Sequence, residues 1–561
     1  MHDLAQLMAQ RVAAGLRRKS LTTCSRWAEN CRIMGGKDFP GPWKFTYHPW
    51  LKEMHDSTAT LNVGKKSAQM GYSETVLNRT FFKIDVEGVD CMYVLPAATP
   101  DASDFSASRF DPAIELSTHL QNLFSNVKNV RHKRAGNANL YVRGSKSRSG
   151  LKSAPVGFLV LDEVDEMEQN NIPLAFRRQD GQLETEAWAI STPTAPNMGI
   201  DKLFQSTTQE HFFFKCPGCS KFTELVYPDC LVTTAEDIND PGIENSTFIC
   251  KECKVVLAKG SGQQKAKVEW LKSGVWVPSY SGRDARGFYI HQMYSCAKAG
   301  SPVEMAKAQI KAQYNPAEET ELYNSRLGLA FAPDGAKLTD ALIEGVRGEY
   351  KRGPRNSPNR LITMGVDVGK WIHYWIDEWK VPDVIKSDLN VESHARCIEA
   401  NKVRNFEELD KLMYDYKINF AVLDINPEKR KAIEFSNRFW GFVKVCYYVR
   451  GIVGKSINAP KEQNEFHEQA ITVDRTAWLD MSFSRFKAKS IELPIDLPLE
   501  AKMHLKALVR VYEKDQDGNP IGKYIKDAND EDHYAHARVY SEIALQFAAG
   551  LSVSQDITED I

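Results

Sequence analysis

Phe158-Leu-Val-Leu-Asp162-Glu163-Val-Asp165 decides how the first part of this chain is read. Four apolar residues in a row mark a strand buried on both faces, and the acids that follow stand at its C-terminal edge, where parallel sheets bind their ligands. Asp162 at that edge can hold magnesium through water, while Glu163 polarises an attacking water. The run Ile362-Thr-Met-Gly-Val-Asp367-Val-Gly369 repeats the device much later in the chain. Two acidic strand ends predict two chemistries in one polypeptide.

Composition bounds the rest. A chain of 561 residues is too long for one core, so two or three domains are expected. Its 42% hydrophobic and 26% charged content is that of an ordinary globular protein. No apolar run approaches the roughly 18 residues that span a bilayer, and Met1-His-Asp-Leu-Ala-Gln lacks the features of a secretory signal. Neither a membrane protein nor a secreted one is expected on these grounds, and an intracellular location is. The net charge of -1 says nothing for or against nucleic acid, so basic patches must be sought locally. One lies between Lys128 and Lys152, where Arg131, Lys133, Arg134, Arg143, Lys146 and Arg148 occur with no acid among them. It reads as a solvated loop or as a surface facing phosphates.

From Leu61 to Thr192 short apolar runs alternate with polar or helical segments: Thr60 to Val63, Cys91 to Leu95, Leu140 to Val142, Gly157 to Leu161 and Ala187 to Ile190. This rhythm predicts an α/β domain with a mostly parallel sheet. Before it come a basic helix-like stretch, Gln10 to Lys19, and an aromatic cluster, Phe39 to Trp50, suited to packed turns or to stacking on a base. Residues 351–360 combine Pro, Gly and charge without apolar anchors, which is linker composition. Strands at Leu361 to Val366, Ile372 to Trp379, Phe420 to Leu423 and Val443 to Val449, then a helix over Asp532 to Ala549, are expected beyond it. The resulting plan is an N-terminal helical segment (1–50), an α/β core (51–208), a cysteine-bearing module (209–258), a lid or linker subdomain (259–350), a C-terminal domain (361–550) and a flexible acidic tail (551–561).

A nucleotide site needs a loop whose amides cradle phosphates, a lysine on those phosphates and a hydroxyl on magnesium. After the first strand stands Gly64-Lys65-Lys66-Ser67-Ala68-Gln69-Met70-Gly71-Tyr72-Ser73-Glu74. Tyr72 occupies the place where lysine usually precedes the hydroxyl residue, but Lys66 can reach the same phosphates from the other end of the loop. A simple turn between strand and helix is the alternative. Ser191-Thr192-Pro-Thr194 ends another strand with hydroxyls, a suitable sensor of the γ-phosphate.

Eleven cysteines do not suggest a disulfide framework here. Cys216-Pro-Gly-Cys219 and Cys250-Lys-Glu-Cys253 are two knuckles that together can hold one tetrahedral zinc, with no open position for catalysis. Cys230 is left as a spare. In the C-terminal part Asp367 and Asp424 each end a strand, and two-metal phosphodiester hydrolysis needs several carboxylates converging on a pair of ions. Asp532 and His536, four apart, would share a helix face. Strand, antiparallel strands, acidic strand and acidic helix is the order of RNase H-like nucleases.

These motifs together resemble the large terminase subunit of tailed bacteriophages, of the lambda-type branch. The likeness rests on Lys66-Ser-Ala-Gln-Met-Gly-Tyr-Ser73, Leu161-Asp-Glu-Val-Asp165, Ser191-Thr-Pro-Thr194 and the Cys216 to Cys253 knuckles. It extends through Asn324-Ser-Arg-Leu-Gly328, Gly365-Val-Asp367-Val and Val473-Asp-Arg-Thr476. The resemblance implies a RecA-like P-loop ATPase with an inserted zinc ribbon, followed by an RNase H-like nuclease. It implies ATP with Mg2+, structural Zn2+, and Mg2+ or Mn2+ at the nuclease. By the same likeness Tyr47 lies near the adenine; Lys66, Gly71, Ser73 and Asp162 hold phosphate and magnesium; Glu163 activates water; and Thr192 couples hydrolysis to movement. Arg143 or Arg148 would complete the transition state. The implied partners are double-stranded viral DNA, a small terminase subunit, the portal of a procapsid and further copies of this chain, in the host cytoplasm. Two positions depart from the pattern: Glu74 stands where some relatives carry a basic residue, and His536 stands at the last acid of an Asp-His-x-x-Asp motif. The third nuclease ligand is therefore Asp532 or His536. A helicase-like repair translocase with a nuclease, or a non-enzymatic zinc-ribbon DNA-binding or scaffold protein, would share parts of this plan.

Overall fold

The computed structural model describes residues 22–37, 40–125, 127–262, 266–333, 335–355, 360–385, 387–449, 454–460, 468–514, 520–527 and 529–550. The basic stretch Gln10 to Lys19 and the tail 551–561 lie outside these residues, as does part of the expected linker. The chain divides into two compact units, one of Met1–Pro333 with Val511–Ile521 and one of Asp334–Arg510 with Gly522–Ile561. Residues 335–350 thus group with the second unit.

The first unit is built on seven parallel strands: β1 (Leu61–Lys66), β2 (Cys91–Leu95), β3 (Ala138–Gly144), β4 (Phe158–Asp162), β5 (Glu186–Ser191), β6 (Glu210–Lys215) and β7 (Arg286–Ile290). Their order across the sheet is β6-β7-β1-β5-β4-β2-β3. Every residue of β2, β4 and β5 is buried, which explains their continuous apolar letters. β1 runs three residues further than its apolar run. Gly64, Lys65 and Lys66 are paired to β7, and the first two also to β5, so the neighbours hold polar letters in the ladder. Helix α1 (Tyr72–Phe82) follows, entered through Gly71 at φ 84°.

The basic segment after Lys128 forms neither a loop nor a uniformly solvated face. Strands Val127–Asn129 and His132–Ala135 extend the sheet antiparallel from β3. Lys133 is buried and paired with Asp111 at 2.7 Å.

The second unit centres on β8 (Leu361–Val368). β9 (Ile372–Lys380) and β10 (His394–Val403) follow antiparallel on one side; β11 (Phe420–Asp424), β12 (Val443–Tyr448) and β13 (Ala470–Val473) run parallel to β8 on the other. Two helices matter to the site, α2 (Leu499–Ala507) and α3 (His533–Ala548). Helix α3 lies directly on β8, and Gly365 makes this approach possible. A Cβ there would stand 1.9 Å from the Ala537 carbonyl oxygen and 2.2 Å from the Ser541 nitrogen. Buried ion pairs fix the helix further along. Arg538 and Arg485 both bond to Glu542 at 2.6 to 2.7 Å, and Arg538 reaches Asp377 on β9 at 3.4 Å. Gly365→Ala should cost about 3 kcal/mol, because backbone and not a pliable side chain must give way. Chemical denaturation followed by far-ultraviolet circular dichroism measures this, and an unchanged midpoint would show that α3 is seated by other contacts.

Candidate functional sites

β5 lies between β1 and β4, so the loop after β1 and the acids after β4 are two strand spacings apart, about 10 Å. Side chains span that gap. The loop is held by its main chain: Ser67 N–H donates to the Ile290 carbonyl (3.2 Å) and Ala68 N–H to that of Ser325 (2.8 Å). Trp50 Nε1 donates to the Met70 carbonyl at 3.0 Å. Gly328, at φ 62°, presses on the same loop, where a Cβ would lie 2.7 Å from Ser67 N and 2.8 Å from Lys66 C. Tyr72 is buried, with its hydroxyl donating to the Phe288 carbonyl at 3.3 Å. A side chain at 72 therefore points into the core, and a lysine there would be turned away from the loop's open side.

That open side is a cavity of about 830 Å³, within the usual range for small-molecule sites; Tyr47, Lys66, Gly71, Ser73, Glu163 and Thr192 line it. Lys66 Nζ pairs with Glu163 Oε1 at 2.8 Å. Ser73 donates to Asp162 Oδ1 at 3.3 Å and the Tyr93 hydroxyl to Oδ2 at 2.5 Å. Asp162 is 1% exposed. Burial, with the neighbouring Glu163 charge added and Lys66 opposing, pushes its carboxyl up to about 6. Glu163 has φ 64°, a left-handed conformation that costs a non-glycine residue about 1–3 kcal/mol and clusters at functional sites. Its amide donates to the Ile190 carbonyl at 2.9 Å, and Ser191 Oγ donates to its Oε2 at 3.4 Å. Asp165, two residues on, accepts from the Thr194 amide and hydroxyl, both at 2.8 Å, and from the Ile200 amide at 2.7 Å.

Arg143 and Arg148 stand elsewhere than in this cavity lining. Arg143 Nη1 donates to the Arg131 and Val142 carbonyls at 2.8 and 3.1 Å, and Arg148 approaches Asn171 Oδ1 at 3.5 Å. The arginine in the lining is Arg109, paired with Glu74 at 3.2 Å; Glu74 in turn holds Arg32 at 2.9 Å. No motif in Ser106-Ala-Ser-Arg109-Phe marks that arginine.

Cys216, Cys219, Cys250 and Cys253 converge, with one sulfur from each within 4.8 Å of the others. The two knuckles repeat one conformation. Ser220 and Lys254 take φ 60° and 61°, and their amides donate to the carbonyls of Cys216 and Cys250. Cys216 Sγ and Cys253 Sγ are 3.8 Å apart. Sulfurs about 2.3 Å from one tetrahedral zinc stand about 3.8 Å from each other, so the donor set fits that ion. Cys230 is buried with its sulfur toward the Glu224 carbonyl and does not join the cluster.

In the second unit Asp367 and Asp424 end adjacent parallel strands. Burial first, and Asp367 next to it, push the Asp424 carboxyl up to about 6, with His536 opposing. Asp532, just before α3, meets His536 Nε2 at 3.2 Å, Lys526 at 3.5 Å and Arg475 at 3.7 Å, and these partners hold its carboxyl well below the usual range against the opposing effect of burial. The other ring nitrogen of His536 meets the Tyr448 hydroxyl at 3.1 Å. The structure thus brings Asp532 and His536 to each other. The groups whose donor atoms gather with Asp367 are His373 and His533, within 4.8 Å.

Residues 37–276 match the family model described as phage terminase large subunit gpA, ATPase domain. This stretch belongs to the phage terminase large subunit family. No protein of curated function matches the sequence. Among solved structures, the large terminase of bacteriophage HK97 is similar over 94% of this chain and 99% of its own, at 12% identity and a TM-score of 0.47. The large terminase ATPase domain of Thermus phage P74-26 covers 50% of this chain and 92% of its own, at 16% identity and a TM-score of 0.30. The large terminase nuclease of thermophilic phage G20c, solved with bound magnesium, covers 37% and 98%, at 12% identity and a TM-score of 0.22. The terminase ATPase segment spans β1 to β6 and both cysteine knuckles, so the cavity and the sulfur cluster lie largely inside one family match.

Proposed function

We propose that this chain is a viral DNA-packaging enzyme, in which ATP hydrolysis drives double-stranded DNA into a procapsid and a metal-dependent endonuclease cuts the concatemer. The cavity carries this reading: it joins a lysine, a hydroxyl and a water-polarising carboxylate at the ends of β1, β4 and β5 of a parallel sheet. Tyr47 receives the base, Lys66 and Ser73 receive the phosphates, and Thr192 senses the γ-phosphate. Without nucleotide Lys66 holds Glu163; phosphate draws the lysine away and frees the carboxylate to orient water. Mg2+ held through Ser73 and Asp162 would neutralise phosphate charge. In domain terms 51–208 is the RecA-like core, 209–258 the zinc ribbon, 259–350 the lid or linker and 361–550 the RNase H-like nuclease.

At the nuclease, Asp367 and Asp424 supply the primary carboxylates, with Asp532 or His536 beside them. A divalent ion there would activate water and stabilise the leaving oxygen. Arg143, Arg148 and Arg109 are the arginines to test for completion of the ATPase transition state. A small terminase subunit, a portal and further copies of the chain are the expected partners, in the host cytoplasm. Among the described residues no helix is long and apolar enough to cross a membrane. The purified chain should hydrolyse ATP and nick plasmid DNA with Mn2+; absence of both activities from a folded preparation rejects the reading.

The four cysteines would hold zinc as a structural ion, joining the two knuckles. Metal analysis should find zinc in the parent, and Cys250→Ser should lose it and several kcal/mol of stability. A zinc-free parent that melts at the same temperature as the variant rules this out.

A further inference from the structure

A gathering of three unlike donor groups lies in the first unit, outside the cavity lining and separate from the four cysteines. Cys31 closes the helix Cys24–Cys31, Asp85 sits in the turn Lys83–Glu87 that continues α1, and His119 belongs to the short helix Thr118–Leu123. One donor atom from each lies within 4.8 Å of the others. His119 Nε2 is 2.6 Å from Asp85 Oδ2, and the Cys31 thiol is a further hydrogen-bond partner of the same imidazole. Cys31 and Asp85 are buried, whereas the His119 side chain is 42% exposed. Outer contacts hold the three in place. Trp27 Nε1 donates to Asp85 Oδ2 at 2.8 Å. Ser117 joins the other two helices, its hydroxyl donating to the Cys31 carbonyl at 2.7 Å and accepting from the Leu120 amide at 3.3 Å.

An ion pair between His119 and Asp85 accounts for two of these residues and gives the thiol beside them no part. A zinc ion uses all three. We infer that Cys31, Asp85 and His119 form a zinc site distinct from the four-cysteine cluster, with its fourth position open to solvent on the His119 side. Thiolate, imidazole and carboxylate are the side-chain ligands that zinc takes, and hard ions such as Mg2+ and Ca2+ do not take sulfur. Donors about 2.0–2.3 Å from one tetrahedral ion stand about 3.3–3.6 Å apart, so His119 Nε2 and Asp85 Oδ2 part by about 0.7 Å when the ion enters. The exposed imidazole, on a short helix, is the group free to make that shift. Zinc displaces the proton shared by His119 and Asp85 together with the thiol proton; both leave to solvent, and the charge of the site is unchanged. The ion would tie the helix that carries Trp27 and the helix that carries His119 to the far end of α1. None of this depends on the packaging reading.

The test uses the full chain, equilibrated with excess ZnCl2, freed of unbound metal by gel filtration and analysed for zinc against protein. His119→Gln and Cys31→Ser should each carry about one zinc fewer per chain than the parent. The readout is the difference between chains, so zinc held by the four cysteines or by the acids of the second unit cancels. Glutamine keeps a hydrogen-bond donor for Asp85 at a largely exposed position, so His119→Gln should fold as the parent does. Added zinc should also raise the melting temperature of the parent more than that of His119→Gln. A plain ion pair predicts the same zinc content and the same zinc response in both. Equal zinc in the parent and in folded His119→Gln overturns the site. Zinc lost from His119→Gln but kept in folded Cys31→Ser removes the thiol and overturns it as well. If Cys31→Ser fails to fold by circular dichroism, His119→Gln decides alone.

Discussion

Glu163→Gln should reduce ATP turnover by about 10²–10⁴-fold, the range for loss of one positioned general base, while leaving plasmid nicking with Mn2+ at the parental rate. Glutamine keeps the size of the side chain and one oxygen for Lys66, so the loop after β1 should stay in place. What disappears is the carboxylate proposed to orient water. Nucleotide binding is then expected to survive: fluorescent ATP analogues should bind within a few-fold of the parent. The left-handed backbone at Glu163 and its amide bond to Ile190 do not depend on the side chain, so the variant should also melt normally. A variant that turns over ATP at even a tenth of the parental rate would move the role to another residue, and Asp165 is then the next to examine. Asp165 is less suited, because both its oxygens are occupied by Thr194 and Ile200.

Asp367→Asn is the complementary experiment. It should lower DNA cleavage by about 10³-fold, equivalent to about 4 kcal/mol of lost transition-state stabilisation, with ATP turnover unchanged. Asp367 sits between Asp424, which its charge affects, and His533, which it hydrogen-bonds. Removing the charge relieves one of the two causes that raise Asp424, so that carboxyl should ionise at lower pH in the variant. In the parent the folded value of Asp424 is about 6 against an ordinary 3.8, so the native state binds more protons than the unfolded one between those values. Without a metal, its contribution to stability falls as pH rises through that window; with a metal, the ionised carboxylate is the form that binds. Mn2+-dependent cleavage should therefore decline below about pH 6, and titrating activity from pH 8 to 5 checks it. Equal loss of ATPase and nuclease in a folded Asp367→Asn would show that the two chemistries are not separable.

The strands that end at Asp162, Asp367 and Asp424 were legible because buried parallel strands need unbroken apolar letters and their acids interrupt them at the edge. The knuckles were legible because the chemistry of a four-sulfur site fixes spacing along the chain. Other features were not legible, for physical reasons. β1 extends through Gly64 to Lys66 because its neighbours supply hydrogen bonds to any letter, which no local pattern reports. Arg109 reaches the cavity through tertiary packing of the helical stretch 98–116. The approach of His373 and His533 to Asp367 is not legible, because one depends on hairpin register and the other on the phase at which α3 begins. The i,i+4 spacing of Asp532 and His536 correctly put them side by side, yet that spacing says nothing of which residue meets Asp367.

The seat of α3 on Gly365 bears on how such a site could diversify. Main chain rests on main chain there, so the distance from the β8 edge to the first turn of the helix is set by two backbones and is independent of side-chain bulk. Positions 532, 533 and 536 are fixed posts. Carboxylate and imidazole can be exchanged among them by single codon changes without moving the helix.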